Sequence, residues 1–283
     1  MRALRLAVRL SGFLAALIIL LPPHLILFFV PVLRHAMPLL FFRFMVWLMG
    51  VRINVTGPLP ESGTLIASNH ISWFDILIIG ALMPLSFIAK SDVKTWPFFG
   101  HLARLHHSVF VDRRIGRHTL KERAQLAQRL RRGDSLVLFA EGTSSHGLRV
   151  LPFKSSLFSA IECASIEPVS DGPMTDGRAQ APVKVQAMTL AYTRVHNIAM
   201  GRRQRTAYGW VGDMTLLPHF FFMLAGPKLT VEIIFHPRLE NPAQLGRKQM
   251  AKILHHQVSE GLEALARGAP HPVAPLEMTG QKS

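Results

Sequence analysis

Thr64-Leu65-Ile66-Ala67-Ser68-Asn69-His70-Ile71-Ser72-Trp73-Phe74-Asp75 is a short uncharged run that passes directly into a turn carrying an imidazole and a carboxylate. An apolar run of this length, bounded by polar turn residues, has the character of a strand buried on both faces, and such strands belong to parallel sheets covered by helices. In open sheets of that kind ligands bind beyond the carboxyl ends of the strands, which is where His70 and Asp75 stand. Were both on one regular helix, their side chains would diverge by roughly 140°. His70 therefore belongs to a loop before the helix. Ser72-x-x-Asp75 is a capping-box pattern that starts the helix at Ser72, keeps Asp75 in its first turn and lets the carboxylate reach back to the imidazole. An alcohol is a poor nucleophile near neutrality, whereas a histidine titrates near about 6.5 and gains basicity and a fixed tautomer from a carboxylate on its far nitrogen. That pairing is a general base for a hydroxyl group. By itself the spacing fits a plain helix cap beside a surface histidine better than a site.

Outward from this stretch the pattern is short β-branched runs separated by helical ones, the grammar of an α/β fold with a mixed, mostly parallel central sheet flanked by helices. The strands expected are Val51 to Val55, Thr64 to Ser68, Ser86 to Ala89, Ser108 to Val111, Leu136 to Ala140, Val185 to Ala191 and Leu229 to Phe235. Helices are expected near Trp73 to Leu82, Pro97 to Leu105, Arg117 to Arg131, Phe153 to Cys163 and Pro242 to Ala266. Glu167 to Pro182, rich in Gly, Pro, Asp and Ser, reads as an exposed loop. The chain divides into N-terminal hydrophobic helices over 1–50, one α/β body over 51–267 and a flexible tail over 268–283 with Pro270, Pro272 and Pro275.

The 283 residues hold one large core, and 49% apolar against 17% charged residues makes the chain oilier than an ordinary soluble domain. A formal charge of +15 favours a polyanionic partner, nucleic acid or an anionic membrane leaflet. The N-terminus favours the membrane. Ser11 to Leu33 has no Lys, Arg, Asp or Glu and would reach roughly 34 Å as a helix, although Pro22-Pro23 should kink it or split it into two arms dipping into one leaflet. Arg2, Arg5 and Arg9 before the run and Arg34, Arg43 and Arg52 behind it leave orientation undetermined. They also resemble the start of a signal peptide, but no small-x-small cleavage site follows. Met37 to Met49, with Phe41, Phe42, Phe44 and Trp47 around Arg43, reads as an interfacial amphipathic helix or a core helix. Phe220 to Met223 reads as a core helix or the edge of a lipid entrance. Cys163 is the one cysteine, which excludes an intrachain disulfide and a cysteine-rich zinc site and fits a reducing, cytoplasmic setting. Fourteen histidines include no His-Glu-x-x-His pair, so no metal is expected.

Two further stretches carry chemistry. Phe139-Ala140-Glu141-Gly142-Thr143-Ser144-Ser145-His146-Gly147 follows an apolar strand, and its small residues can open backbone amides toward an anion. It is not a P-loop, since Leu148-Arg149 stand where Lys-Ser/Thr is required, nor a nucleophile elbow, since after Gly142-x-Ser144 the next glycine, Gly147, comes three residues on rather than two. Phe110-Val111-Asp112-Arg113-Arg114 leads into a basic helix, and an arginine at a strand end can fork onto a phosphate.

Taken in order, Asn69 to Asp75, Phe110 to Arg113 and Phe139 to Thr143 resemble the boxes of the glycerolipid acyltransferase family, in its lysophosphatidate acyltransferase-like branch, over about residues 50–240. The fourth box of that family falls in Val185 to Tyr192 without its usual proline. The resemblance implies that His70 deprotonates an acceptor hydroxyl, Asp75 orients it, and Arg113, Glu141, Gly142 and Thr143 bind the acceptor. It implies an acyl thioester of acyl carrier protein or coenzyme A as co-substrate, no cofactor, no nucleic acid, and membrane lipids as partners at the cytoplasmic face of a bacterial inner membrane. Ser144 stands where the family usually has arginine, which removes a phosphate ligand. Lys90 to Pro97, Ala191 to His196 and Gly212-Asp213-Met214 look similar to bacterial enzymes that acylate lyso-ornithine lipid, an acceptor without phosphate. Lysophosphatidate and lyso-ornithine lipid both remain open as acceptors. A noncatalytic, membrane-tethered binder of anionic lipid or nucleic acid is the rival the charge permits.

Overall fold

A computed structural model describes residues 2–30, 33–96, 99–111, 120–159, 161 and 183–268. Strands β1 (Val51–Thr56), β2 (Thr64–Ser68), β3 (Ser86–Lys90), β4 (Val109–Val111), β5 (Leu136–Phe139), β6 (Lys184–Val195) and β8 (Leu229–Arg238) form one sheet in the order β1-β8-β6-β2-β5-β3-β4, and the two-residue β7 (Ile198–Ala199) pairs with β6. Strands β2 to β6 run parallel to one another, while β8 is antiparallel to β6 and carries β1 parallel to itself. All five residues of β2 and all four of β5 are buried, as their uncharged runs require.

Alternation along these strands feeds two separate cores. Ile66, Val137 and Phe139 face one layer, which is closed by α1 (Arg2–Leu27), α2 (Ala36–Met49), α3 (Phe74–Gly80) and α7 (Leu216–Ala225) through Phe13, Met45, Phe74 and Phe220. Leu65, Leu136 and Leu138 face the other, closed by α5 (Leu120–Arg131) and α8 (Arg247–Arg267) through Leu126, Leu130, Met250 and Leu254. Short helices α4 (Phe99–Leu105) and α6 (Arg202–Tyr208) lie between these elements in the chain. The expected loop at 167–182, residues 117–119 of the basic helix, Cys163 and the tail beyond Gly268 lie outside the described residues.

Pro22 and Pro23 lie inside α1 and do not divide it into two arms. Tertiary contacts hold the segment beyond them: His24 Nε2 donates to the Leu105 carbonyl at 2.9 Å, and Phe28 stacks on His107 at 4.2 Å. The outer side of α1 is apolar and bare, with Ile18 74% and Ile26 75% exposed, and the helix is long and apolar enough to cross a membrane. Helix α2 serves both of its readings, burying Phe42, Met45 and Met49 while exposing Leu40 and Trp47. In α7, Phe220 and Met223 face the core, whereas Phe221 and Phe222 are exposed.

Arg9, charged yet 6% exposed, joins these three helices. Its guanidinium donates to the carbonyls of Leu48 (3.2 Å) and Met49 (2.6 Å) at the end of α2, and to those of Leu224 (2.9 Å) and Gly226 (2.6 Å) at the end of α7. Terminal carbonyls have no intrahelical donor, and the negative end of a helix attracts a cation, so one side chain satisfies both termini.

Candidate active site

Because β2 and β5 are adjacent and parallel, the loops that follow them emerge side by side at one edge of the sheet. Asn69 continues the ladder by one side chain: its Nδ2 donates to the Leu190 carbonyl and its Oδ1 accepts from the Leu190 amide, both at 2.9 Å. Helix α3 begins at Phe74, two residues beyond Ser72, whose Oγ accepts from the Phe74 amide (3.3 Å). The reciprocal half of the box forms as expected, with the Ser72 amide donating to Asp75 Oδ2 at 3.0 Å.

Asp75 is fully buried and accepts four hydrogen bonds. Oδ2 takes the amides of Ile71 (2.7 Å) and Ser72 (3.0 Å) and His70 Nδ1 (2.8 Å), and Oδ1 takes the Tyr192 hydroxyl (2.5 Å). An acceptor so surrounded requires Nδ1 of His70 to be the protonated nitrogen, which leaves a lone pair on Nε2. The ring stacks on Phe139 at 3.8 Å and 19°, and its side chain is 15% exposed. Burial and the neighbouring Asp75 carboxylate push the Tyr192 phenol well above its usual range, so it remains a donor.

The 140–147 loop grips the His70 peptide from both sides. His70 donates its amide to Glu141 Oε1 (3.3 Å), and its carbonyl accepts from the Ser145 amide (2.8 Å) and hydroxyl (3.2 Å). Glu141 is 1% exposed, and burial pushes its carboxyl up to about 8 against the pull of the His70 amide, the Ser145 hydroxyl and the Leu151 amide. On the far side, the Trp210 amide donates to the Ile71 carbonyl at 2.9 Å, and Ser144 Oγ donates to the Trp210 carbonyl.

His70 opens onto a cavity of about 670 Å³ walled mainly by apolar side chains of α1, α2, α3 and α7, among them Leu20, Phe42, Met45 and Phe220. Gly142, Thr143 and Ser144 form part of its rim, with Lys90 and Lys154 as its lysines. Gly142 adopts φ +75°, and a Cβ there would lie 2.8 Å from Lys154 Cδ, so the lysine is laid across the glycine. The volume and lining suit an acyl chain whose reactive end meets the imidazole.

Of the six residues picked from the sequence, the structure brings His70, Asp75, Glu141, Gly142 and Thr143 into one cluster, while Arg113 lies outside the described residues. Asn69, Tyr192, Ser145 and Lys154 were missed. Tyr192 is 117 positions from Asp75, and no local spacing announces it. Lys154 had a faint signal as a cation just beyond a glycine-rich loop. Among the described residues no group of three or more His, Cys, Asp or Glu converges as metal ligands would.

Comparison with known proteins bears on this geometry. The model of the family described as Acyltransferase matches residues 52–175. The chain is 40% identical over 242 residues to a lyso-ornithine lipid O-acyltransferase of Brucella abortus (strain 2308), covering 85% of this chain and 87% of that one. It is 36% identical to a lyso-ornithine lipid O-acyltransferase of Rhizobium meliloti (strain 1021), covering 85% and 80%. To a 1-acyl-sn-glycerol-3-phosphate acyltransferase of Neisseria gonorrhoeae it is 33% identical over 190 residues, covering 66% and 65%. The crystal structure of the 1-acyl-sn-glycerophosphate acyltransferase PlsC from Thermotoga maritima shares the fold, with a TM-score of 0.62 at 17% identity over 94% of this chain and 98% of that one.

Proposed function

The chain belongs to the acyltransferase family, and on that premise we propose that it transfers an acyl group from a thioester to the free hydroxyl of a lysolipid, lyso-ornithine lipid in the first place. The observation that carries the mechanism is the His70–Asp75 pair opening onto the apolar cavity. Nε2 takes the proton of the acceptor hydroxyl as its oxygen attacks the thioester carbonyl. The C–S bond then breaks, and the imidazolium returns the proton to the departing thiolate, giving an ester and a free thiol. Asp75 holds the ring and offsets the charge it acquires in between.

For the acceptor, the lyso-ornithine lipid enzymes of Brucella abortus and Rhizobium meliloti match 85% of the chain, and the Neisseria gonorrhoeae enzyme named for the phosphate acceptor matches 66%. Ser144 agrees with this, being occupied with the Trp210 carbonyl where a phosphate ligand would otherwise project. Lys154 at the rim binds the carboxylate of the ornithine headgroup, Gly142 and Thr143 shape the acceptor site beside it, and Arg113 supplies a further cation. The donor is acyl carrier protein or coenzyme A thioester, no metal or cofactor takes part, and the bare apolar sides of α1, α2 and α7 dock on the cytoplasmic leaflet, where such donors are made. Lyso-ornithine lipid and lysophosphatidate, each offered to the purified full chain in mixed micelles with labelled acyl thioester, test this reading. Acylation of the former, abolished by His70→Ala, is expected. Preferential acylation of lysophosphatidate would reverse the acceptor, and full activity of His70→Ala would remove the base.

A further inference from the structure

We propose that Glu141 serves the reaction as a neutral hydrogen-bond acceptor that fixes the His70 loop from behind, a positioning residue that does not touch the acceptor. The proposal rests on the reading of His70 as the base. Four observations carry it. First, Gly142, Thr143 and Ser144 line the cavity, whereas Glu141 does not, being 1% exposed and turned beneath the His70 loop. Second, its Oε1 accepts from the His70 amide, so the carboxyl acts on the residue that carries the reactive nitrogen. Third, Ser145, four residues on, holds the His70 carbonyl with two donors, so one loop clamps both peptide groups that flank the histidine. Fourth, among the described residues Oε2 has no hydrogen-bond partner although it is inaccessible to solvent.

The last point decides the charge state. A buried hydroxyl lacking an acceptor costs far less than a buried carboxylate one of whose oxygens has no donor, so the side chain keeps its proton. The groups around it reinforce this. Asp75 faces it from α3 and already concentrates negative charge there, while the cation on the other side, Lys154, is exposed across Gly142, and His146 and Arg149 of the same loop are exposed too. Burial is the largest cause holding the proton to about pH 8, with Asp75 adding to it. Above that pH a second negative charge would arise beside Asp75. It would oppose the oxyanion forming on the thioester carbonyl.

Glu141→Gln keeps shape and acceptor but cannot ionise, Glu141→Ala removes the acceptor, and His70→Ala checks the base. Each is assayed as the full chain in mixed micelles for kcat, for KM of the acceptor and across pH 6 to 10. We expect Glu141→Gln to hold kcat within about threefold with unchanged KM, and to lack the decline that the wild type shows above about pH 8. Glu141→Ala should lose roughly ten- to a hundredfold in kcat, with the KM of the acceptor unchanged. A Gln variant as inactive as the Ala variant, or one that keeps the alkaline decline, would overturn the proposal. So would a large rise in KM at constant kcat, the signature of a lost acceptor ligand. Should the Ala variant misfold, the pH profile of the Gln variant decides alone. An active His70→Ala would instead overturn the reading of the base beneath it.

Discussion

Removing one hydroxyl from Tyr192 tests the site at the point where the fold controls the chemistry. Tyr192→Phe deletes the donor to Asp75 Oδ1 at 2.5 Å and leaves that oxygen in a fully buried position with no replacement. The ring itself stays packed against Tyr208 at 6.2 Å, and the loss of a single oxygen opens no void that water could fill. A hydrogen bond to a charged acceptor is worth about 1.5–3 kcal/mol. If that stabilisation is spent holding Asp75 against His70 as the imidazolium forms, the whole of it appears in the barrier, roughly a ten- to hundredfold fall in kcat. The KM of the acceptor should stay unchanged, because Tyr192 does not line the cavity. Steady-state acyl transfer in mixed micelles measures both constants. The decisive control is Asp75→Ala, in whose background Tyr192→Phe should cost nearly nothing, since a residue acting only through Asp75 has nothing left to position. Wild-type kcat for the single variant, or a full additional loss in the double variant, refutes the reasoning.

Three further outcomes follow from the same contacts. Arg9→Met strips the charged donor from four helix-terminal carbonyls and should destabilise the chain by about 3 kcal/mol, lowering the unfolding midpoint by roughly 6–12 °C in a detergent melt; an unchanged midpoint counts against the clamp. Burial lowers His35 to about 4, His106 to about 3 and His107 to about 4, so the unfolded chain binds protons that the native one refuses. The contribution of the histidines should therefore be full above about pH 7 and fall as pH drops from about 6.5 toward 4, with Glu141, whose own contribution is lost as pH rises through about 8, offsetting one of the three between about pH 6.5 and 4.5. His106→Phe, among Phe42 and Phe87, should flatten that slope in melts from pH 7 to 4.5, and a wild-type midpoint independent of pH there would contradict it. Gly142→Ala forces a side chain into φ +75° at about 1–2 kcal/mol and pushes Lys154 off the rim, so KM of the acceptor should rise at least several-fold while kcat changes less; an unchanged KM would show that Lys154 takes no part in binding.

What the sequence determined by itself is the part whose physics is local. Uncharged runs such as Leu136 to Phe139 have to be buried on both faces, which dictates a parallel sheet with helices on either side, and Ser72-x-x-Asp75 dictates a helix start that brings a carboxylate back to His70. The family boxes added the order of the pieces, and with it the cluster of His70, Asp75, Glu141, Gly142 and Thr143. Tertiary structure decided what depends on partners far apart in the chain. Tyr192 reaches Asp75 because β6 lies beside β2, a pairing that no spacing within either strand encodes. Glu141, which its motif places among the acceptor ligands, is turned inward by the strand before it and meets the His70 amide. Pro22-Pro23, read locally as a kink or a break, stays within one helix, and Leu105 and His107 supply contacts beyond it. Arg9, read as a charge flanking a hydrophobic segment, is buried because two helix ends from α2 and α7 converge on it. In each case a buried polar group takes its meaning from the partner that satisfies it, and only the folded chain brings that partner within reach.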